Sequence, residues 1–154
     1  MPHKAALVML ETDGCFADGI EVATGATVGH RRLRVVDLGK IAATFSNLET
    51  GLSIRLAPQP DVRRRAPEYA PEITTKYYAQ LKGYQVMPEV ELFSFQEVVL
   101  EPALDVIISR PGVRVKCAQC GEEIINERQV CVKNEWLCRT CAGERYYRSK
   151  ELLP

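Results

Sequence analysis

The run from Ala5 to Leu10 is apolar without a break and stops at Glu11-Thr12-Asp13-Gly14, a pattern that predicts a strand delivered into a turn. From Asp13 onward Phe16, Ala17, Ile20 and Ala23 recur at helical spacing. With Thr12 or Asp13 to cap the start and Gly25 to end it, a short helix is expected over residues 13–24. Leu33 to Val36, Lys40 to Phe45 and Gly51 to Leu56 each read as a strand, separated by Asp37-Leu38-Gly39 and by Asn47 to Gly51, so an antiparallel meander is expected. In the last of these, Leu52, Ile54 and Leu56 alternate with Ser53 and Arg55, which places the apolar set on a covered face beneath the 13–24 helix. Pro58, Pro60, Pro67 and Pro71 interrupt the next stretch. A helix is then expected over 72–85, with Ile73, Tyr77, Leu81 and Tyr84 on its inner face and Gly83 and Met87-Pro88 at its end. Phe93 to Leu100 and Val106 to Ile108 are read as strands, the latter leading into a turn at Arg110-Pro111-Gly112. The fold class is therefore α+β: an antiparallel sheet meander packed with helices over residues 1–110, and a small cysteine module over 113–150.

Composition narrows the function classes. The chain has 154 residues, enough for one domain with a small appendage, and its 46% apolar and 26% charged content is that of a globular protein. Neither internal repeats nor low-complexity tracts occur. Lys plus Arg and Asp plus Glu number 20 each, so no global field draws the chain to nucleic acid or to an anionic membrane. The apolar runs fall far short of the roughly 18 residues that span a bilayer, and no signal-peptide pattern opens the chain, so a cytoplasmic, reducing setting is expected.

Of the six cysteines, four form two Cys-x-x-Cys pairs, Cys117 with Cys120 and Cys138 with Cys141, and 17 residues separate the pairs. That is the spacing of a zinc ribbon. Four thiolates complete tetrahedral Zn2+ and leave no open position, so such a site organises the fold and performs no hydrolysis. Gly121 follows the first pair, where the knuckle turn favours positive φ. Glu122 to Asn126 and Val130 to Trp136 are expected to pair as a hairpin about residues 126–129. A module of this size builds little core of its own, so the metal must stabilise it. Cys131 lies in a strand-like run and suits a small buried apolar position better than a ligand. A dithiol redox pair is the competing reading of the tetrad, but it calls for one such motif on a βαβ scaffold.

Cys15 falls in the first turn of the 13–24 helix, where free amides and the helix dipole stabilise a thiolate able to bind metal or an anionic ligand. Alternatively, it packs as a small hydrophobe beneath the sheet. His30, after Gly29 in a turn, and His3 are the two histidines and weak ligand candidates. Cys15 with His30 is the candidate second metal or ligand site.

Taken together, Thr12-Asp13-Gly14-Cys15, Ala17 to Gly25, Thr27-Val28-Gly29-His30 and Val36 to Ala42 resemble the FmdE family, which takes its name from a component of formylmethanofuran dehydrogenase. The match covers about residues 6–56, and the module from Cys117 is similar to the ribbon many members carry. The resemblance implies an α+β domain with a zinc-ribbon appendage, homodimerisation, and association as a subunit with a molybdenum- or tungsten-dependent oxidoreductase of one-carbon metabolism. It also implies a metal pocket that joins the cysteine matched by Cys15 to an upstream His-x-Cys-Pro-Gly segment. Here the sequence departs from the family: it reads as N-terminally shortened, without that segment, and Ala26 stands where relatives often carry another cysteine.

Three functions compete. The first is a metal-binding accessory or subunit-like protein with a structural zinc ribbon and no catalysis of its own. A second is a zinc-ribbon nucleic-acid or transcription-associated protein, suggested by Arg63-Arg64-Arg65 and by Arg139, Arg145, Arg148 and Lys150. Against it, Val113 to Pro154 carries eight Lys or Arg and six Asp or Glu, too even a balance for a phosphate-binding face. An enzyme using Cys15 as nucleophile is the third, and no base for it is apparent. Phosphate loops, nucleophile elbows and His-Glu-x-x-His helices are absent from the sequence.

Overall fold

A computed structural model of the protein describes residues 6–148. The chain divides after Leu104 into two compact units.

The N-terminal unit is built on a five-stranded sheet in the order β2-β1-β3-β4-β5. Strand β1 (Ala6–Leu10) is central, and Leu7, Val8 and Leu10 are fully buried although they point to opposite faces. Burial of each such side chain contributes roughly 1.5–3 kcal/mol, which is why the most apolar strand takes the position covered on both sides. Helix α1 (Cys15–Thr24) carries the chain to β2 (Leu33–Val35), which runs parallel to β1 with Leu33 opposite Val8. β1 then pairs antiparallel with β3 (Ala43–Asn47), β3 with β4 (Ser53–Pro58), and β4 with β5 (Phe93–Val98). The sheet is thus antiparallel apart from its β2 edge. The expected meander differs here because β1 separates β2 from β3, a parallel placement that α1 makes possible by supplying the crossover.

Phe16, Ala17 and Ile20 of α1 pack on Val8, Leu10, Leu33 and Ala43. The helix ends as expected, at Gly25 with φ 68° and its N–H bonded to the Glu21 carbonyl at 2.8 Å. Its start differs: neither Thr12 nor Asp13 caps it, and Gly14 at φ 75° supplies the entry bend. β4 also differs from expectation. Leu52 and Ile54 are exposed and Ser53 is buried, its hydroxyl donating to Ser46 Oγ at 2.8 Å on the face that carries Leu7. A ten-residue helix is about 15 Å long. It covers β1, β2 and β3 and leaves Ile54 and Phe95 exposed toward the other edge.

Between β4 and β5 lie α2 (Val62–Arg65), a 3-10 turn (Ala66–Tyr69), α3 (Lys76–Val86) and α4 (Glu89–Leu92). Val62, Ala66 and Met87 form their core with Tyr69, Tyr84 and Leu92 around it. Of the expected inner face of α3, Tyr84 packs on this core, but Tyr77 and Leu81 are exposed, and Ala79 and Gly83 are the buried residues. A Cβ on Gly83 would stand 1.9 Å from the Ala66 carbonyl oxygen, so close backbone approach selected the small residues. Gly83 therefore lies inside the helix rather than ending it.

In the C-terminal region α5 (Leu104–Ile108) replaces the strand expected at Val106 to Ile108. Leu104, Ile107 and Ile108 also fit a helical spacing, and Arg128 donates to the carbonyls of Val106 at 3.3 Å and Ile107 at 2.7 Å, satisfying the open helix end. The rest forms two hairpins, β6 (Arg114–Lys116) with β7 (Glu123–Ile125) and β8 (Val130–Val132) with β9 (Glu135–Leu137). The expected pairing of 122–126 with 130–136 gives way to these because Lys133 and Asn134 adopt φ 48° and 67°, a two-residue turn that folds β8 back on β9. Among the described residues no helix is long and apolar enough to cross a membrane.

Candidate metal centre

Each hairpin delivers one cysteine pair. β6 ends at Lys116 and hands the chain to Cys117, and β7 begins after a tight knuckle in which the Gly121 N–H donates to the Cys117 carbonyl at 3.0 Å and the Cys117 N–H to the Glu122 carbonyl at 2.9 Å. Gly121 has φ 75°, as its place in the knuckle predicts. β9 ends at Leu137 and hands the chain to Cys138, where the Ala142 N–H closes the second knuckle on the Cys138 carbonyl at 2.9 Å. An Ala118 N–H bond to the Trp136 carbonyl at 2.9 Å ties the two halves together. Beneath them Cys117, Ile124 and Leu137 form a small buried cluster with Val132 against it.

The sulfur atoms of Cys117, Cys120, Cys138 and Cys141 all lie within 4.8 Å of one another, and the Cys120 and Cys138 sulfurs are 3.9 Å apart. A tetrahedron with metal–thiolate bonds of about 2.3 Å has an edge of about 3.8 Å. Backbone amides aim at the sulfurs, the Cys138 N–H at Cys117 Sγ (3.3 Å) and the Cys141 N–H at Cys138 Sγ (3.4 Å). The amides of Cys120 and Cys138 pull the Cys117 thiol down to about 6, whereas Cys138, then burial, pushes Cys141 up to about 12. At Cys120 the Glu122 amide favours the thiolate, but the neighbouring Cys117 and burial outweigh it and the value rises. Four such groups cannot all ionise by themselves, because each new thiolate meets the charge of the others. A bound cation removes that conflict, and an all-sulfur donor set fits a soft or borderline metal. Coordination by all four leaves no position for substrate.

Among the described residues this is the one group of three or more Cys, His, Asp or Glu side chains close enough to share an ion. Cys15 opens α1 and is exposed, not packed beneath the sheet. His30 is exposed in its turn, with Nδ1 3.0 Å from Thr27 Oγ1 and its N–H donating to the same oxygen at 3.1 Å. Neither enters a cluster of that kind. Cys131 is exposed rather than buried: Val130 and Val132 take the inner side of β8, and Cys131 faces outward opposite Trp136. His3 and Lys150 lie outside the described residues.

The basic runs are partly neutralised. Arg64 approaches Asp61 (3.5 Å) and Glu68 (3.8 Å), Arg65 pairs with Asp61 and Glu91, and Arg139 with Glu144 (3.4 Å). Two features escaped the sequence reading. Arg55 donates two bonds to Glu11, at 2.5 and 2.7 Å, across 44 residues of chain. In addition, a cleft forms beside Phe16, Lys40, Arg63 and Tyr84, residues whose separation in sequence gives no local signal.

Comparison with known proteins places these features. A family model described as FmdE, molybdenum formylmethanofuran dehydrogenase operon, matches residues 2–112. A curated protein of Archaeoglobus fulgidus named "Probable S-adenosyl-L-methionine-binding protein" is 29% identical over 91% of this chain. The chain spans about two fifths of that relative's length (41%). The crystal structure of a tungsten formylmethanofuran dehydrogenase FmdE-like protein from Syntrophus aciditrophicus superposes with a TM-score of 0.51 at 22% identity, covering 96% of this chain and 77% of that one, a likeness of fold.

Proposed function

The chain belongs to the FmdE family, and on that premise we propose that it is a metal-binding accessory protein whose Cys117, Cys120, Cys138 and Cys141 hold one structural Zn2+. The observation that carries this reading is the convergence of four sulfurs within 4.8 Å with backbone amides directed at them. Zinc suits the set because it accepts four thiolates without geometric preference from its d electrons and without redox chemistry. Its role is to fold the two hairpins into one module. Cys15, exposed at the start of α1, with His30, remains the candidate second ligand site.

The family name supports a place as a subunit beside a molybdenum- or tungsten-dependent enzyme of one-carbon metabolism; we further take the chain to be a cytoplasmic homodimer without catalysis of its own. The pairing of Arg64, Arg65 and Arg139 with carboxylates weighs against the nucleic-acid alternative. Light scattering on the purified chain tests the dimer, which a mass of one 17.3 kDa chain would refute. Hydrogen exchange before and after treatment with a strong zinc chelator tests the structural role. Amides of β6 to β9 are expected to lose protection while those of β1 and β3 keep it. Unchanged protection in the hairpins would refute a structural metal.

A further inference from the structure

We propose that the cleft between α1 and the α2–α4 segment binds a flat organic anion, an aromatic body bearing a carboxylate, sulfonate or phosphate. The cleft lies wholly within the N-terminal unit and measures about 770 Å³, inside the range of roughly 300–1,000 Å³ typical of small-molecule sites. Phe16, Tyr84, Leu92 and Phe93 provide its walls, and Lys40 and Arg63 contribute the charge. Three aromatic rings suit a flat apolar ligand body.

The charge fixes the sign of the ligand. Within Arg63-Arg64-Arg65, the two arginines that do not line the cleft are held by Asp61, Glu68 and Glu91, while Arg63, exposed, has no ion pair among the described residues. Its backbone is anchored, since Gln80 Nε2 donates to the Arg63 carbonyl at 2.7 Å. Lys40 feels the Glu11 carboxylate, but both oxygens of Glu11 already accept bonds from Arg55, at 2.5 and 2.7 Å. Among the described residues, neither Asp nor Glu lines the cleft. Two uncompensated cations beside low-dielectric walls concentrate a positive potential there, which attracts an anion and repels a cation. This site is separate from the cysteine centre and stands or falls independently of it.

The probe is 8-anilinonaphthalene-1-sulfonate, titrated against the whole chain by fluorescence, with N-phenyl-1-naphthylamine as the same ring system lacking the sulfonate. The expected result is saturable binding, about tenfold weaker in Arg63→Ala and in Lys40→Ala, unchanged in Arg64→Ala, and much weaker for the neutral probe. Ile41→Glu, which places a carboxylate at an exposed lining position, is expected to abolish binding. All three residues replaced by alanine are exposed, so these variants keep the fold. Equal affinity for the neutral probe, unsaturable binding, retention of affinity in Arg63→Ala or Lys40→Ala, or an equal loss in Arg64→Ala would each overturn the proposal.

Discussion

Gly83 shows how one position can oppose two physical preferences. In an open helix, alanine in its place would gain about 1 kcal/mol of propensity. Here the added methyl would meet the Ala66 carbonyl oxygen, a backbone atom, at 1.9 Å. Forced overpacking typically costs about 1–3 kcal/mol, and so close an overlap takes the upper end of that range, so after the propensity gain Gly83→Ala is expected to lower stability by about 2 kcal/mol net, read from the urea midpoint. A neutral or stabilising change would mean that α3 does not approach the 3-10 turn this closely. Glu11 and Arg55 pose an electrostatic case. Hydrogen bonds from Arg55 hold the Glu11 carboxyl below its usual 4.5, so the ion pair stabilises the fold above the ordinary carboxylate range, and that stabilisation is lost as pH falls through the lowered value. Both side chains are largely covered, at 13% and 27% exposure. Glu11→Gln is therefore expected to cost about 1–2 kcal/mol at pH 7 and progressively less below about pH 4, followed by urea unfolding across pH. A difference between variant and wild type that stays constant down to pH 3 would contradict this pairing.

At the scale of elements, α1 and the two C-terminal hairpins separate thiols by role. Cys15 and Cys131 are exposed and outside the tetrad, whereas Cys117, Cys120, Cys138 and Cys141 are committed to one another. A thiol reagent added to the native protein is expected to modify two of the six cysteines quickly and the other four only after chelation. Rapid modification of all six without chelator would contradict metal ligation. Sequence made the tetrad legible because Cys-x-x-Cys spacing is short-range: the two sulfurs of one knuckle depend on the few residues between them. It made the hairpins less legible, since pairing was decided by Lys133 and Asn134 accepting positive φ, a choice not visible in strand propensity. Val106 to Ile108 illustrates the same limit, an apolar triplet that fits either period until Arg128 closes the helical carbonyls.

Across the whole molecule, the α+β class and the succession β1, α1, β2, β3, β4, α3 and β5 followed from apolar periodicity, but the faces did not. Ser53 and Ser46 satisfy each other inside while Ile54 and Leu52 stay exposed, because α1 covers only the β1 side of its sheet face. Likewise Tyr77 and Leu81, expected on the inner face of α3, are exposed, since the close approach of the 3-10 turn favours Gly83 there. The family model matches residues 2–112, and the cysteine centre lies beyond it. The claim that this centre holds a structural metal therefore rests on the sulfur geometry. Its most direct test is metal analysis by mass spectrometry of the purified chain, alongside Cys117→Ser and Cys138→Ser. About one zinc per wild-type chain, with loss of zinc and of β6 to β9 protection in both variants, is the expected result. A wild-type chain folded through residues 113–148 without zinc, or variants that keep that fold, would contradict it.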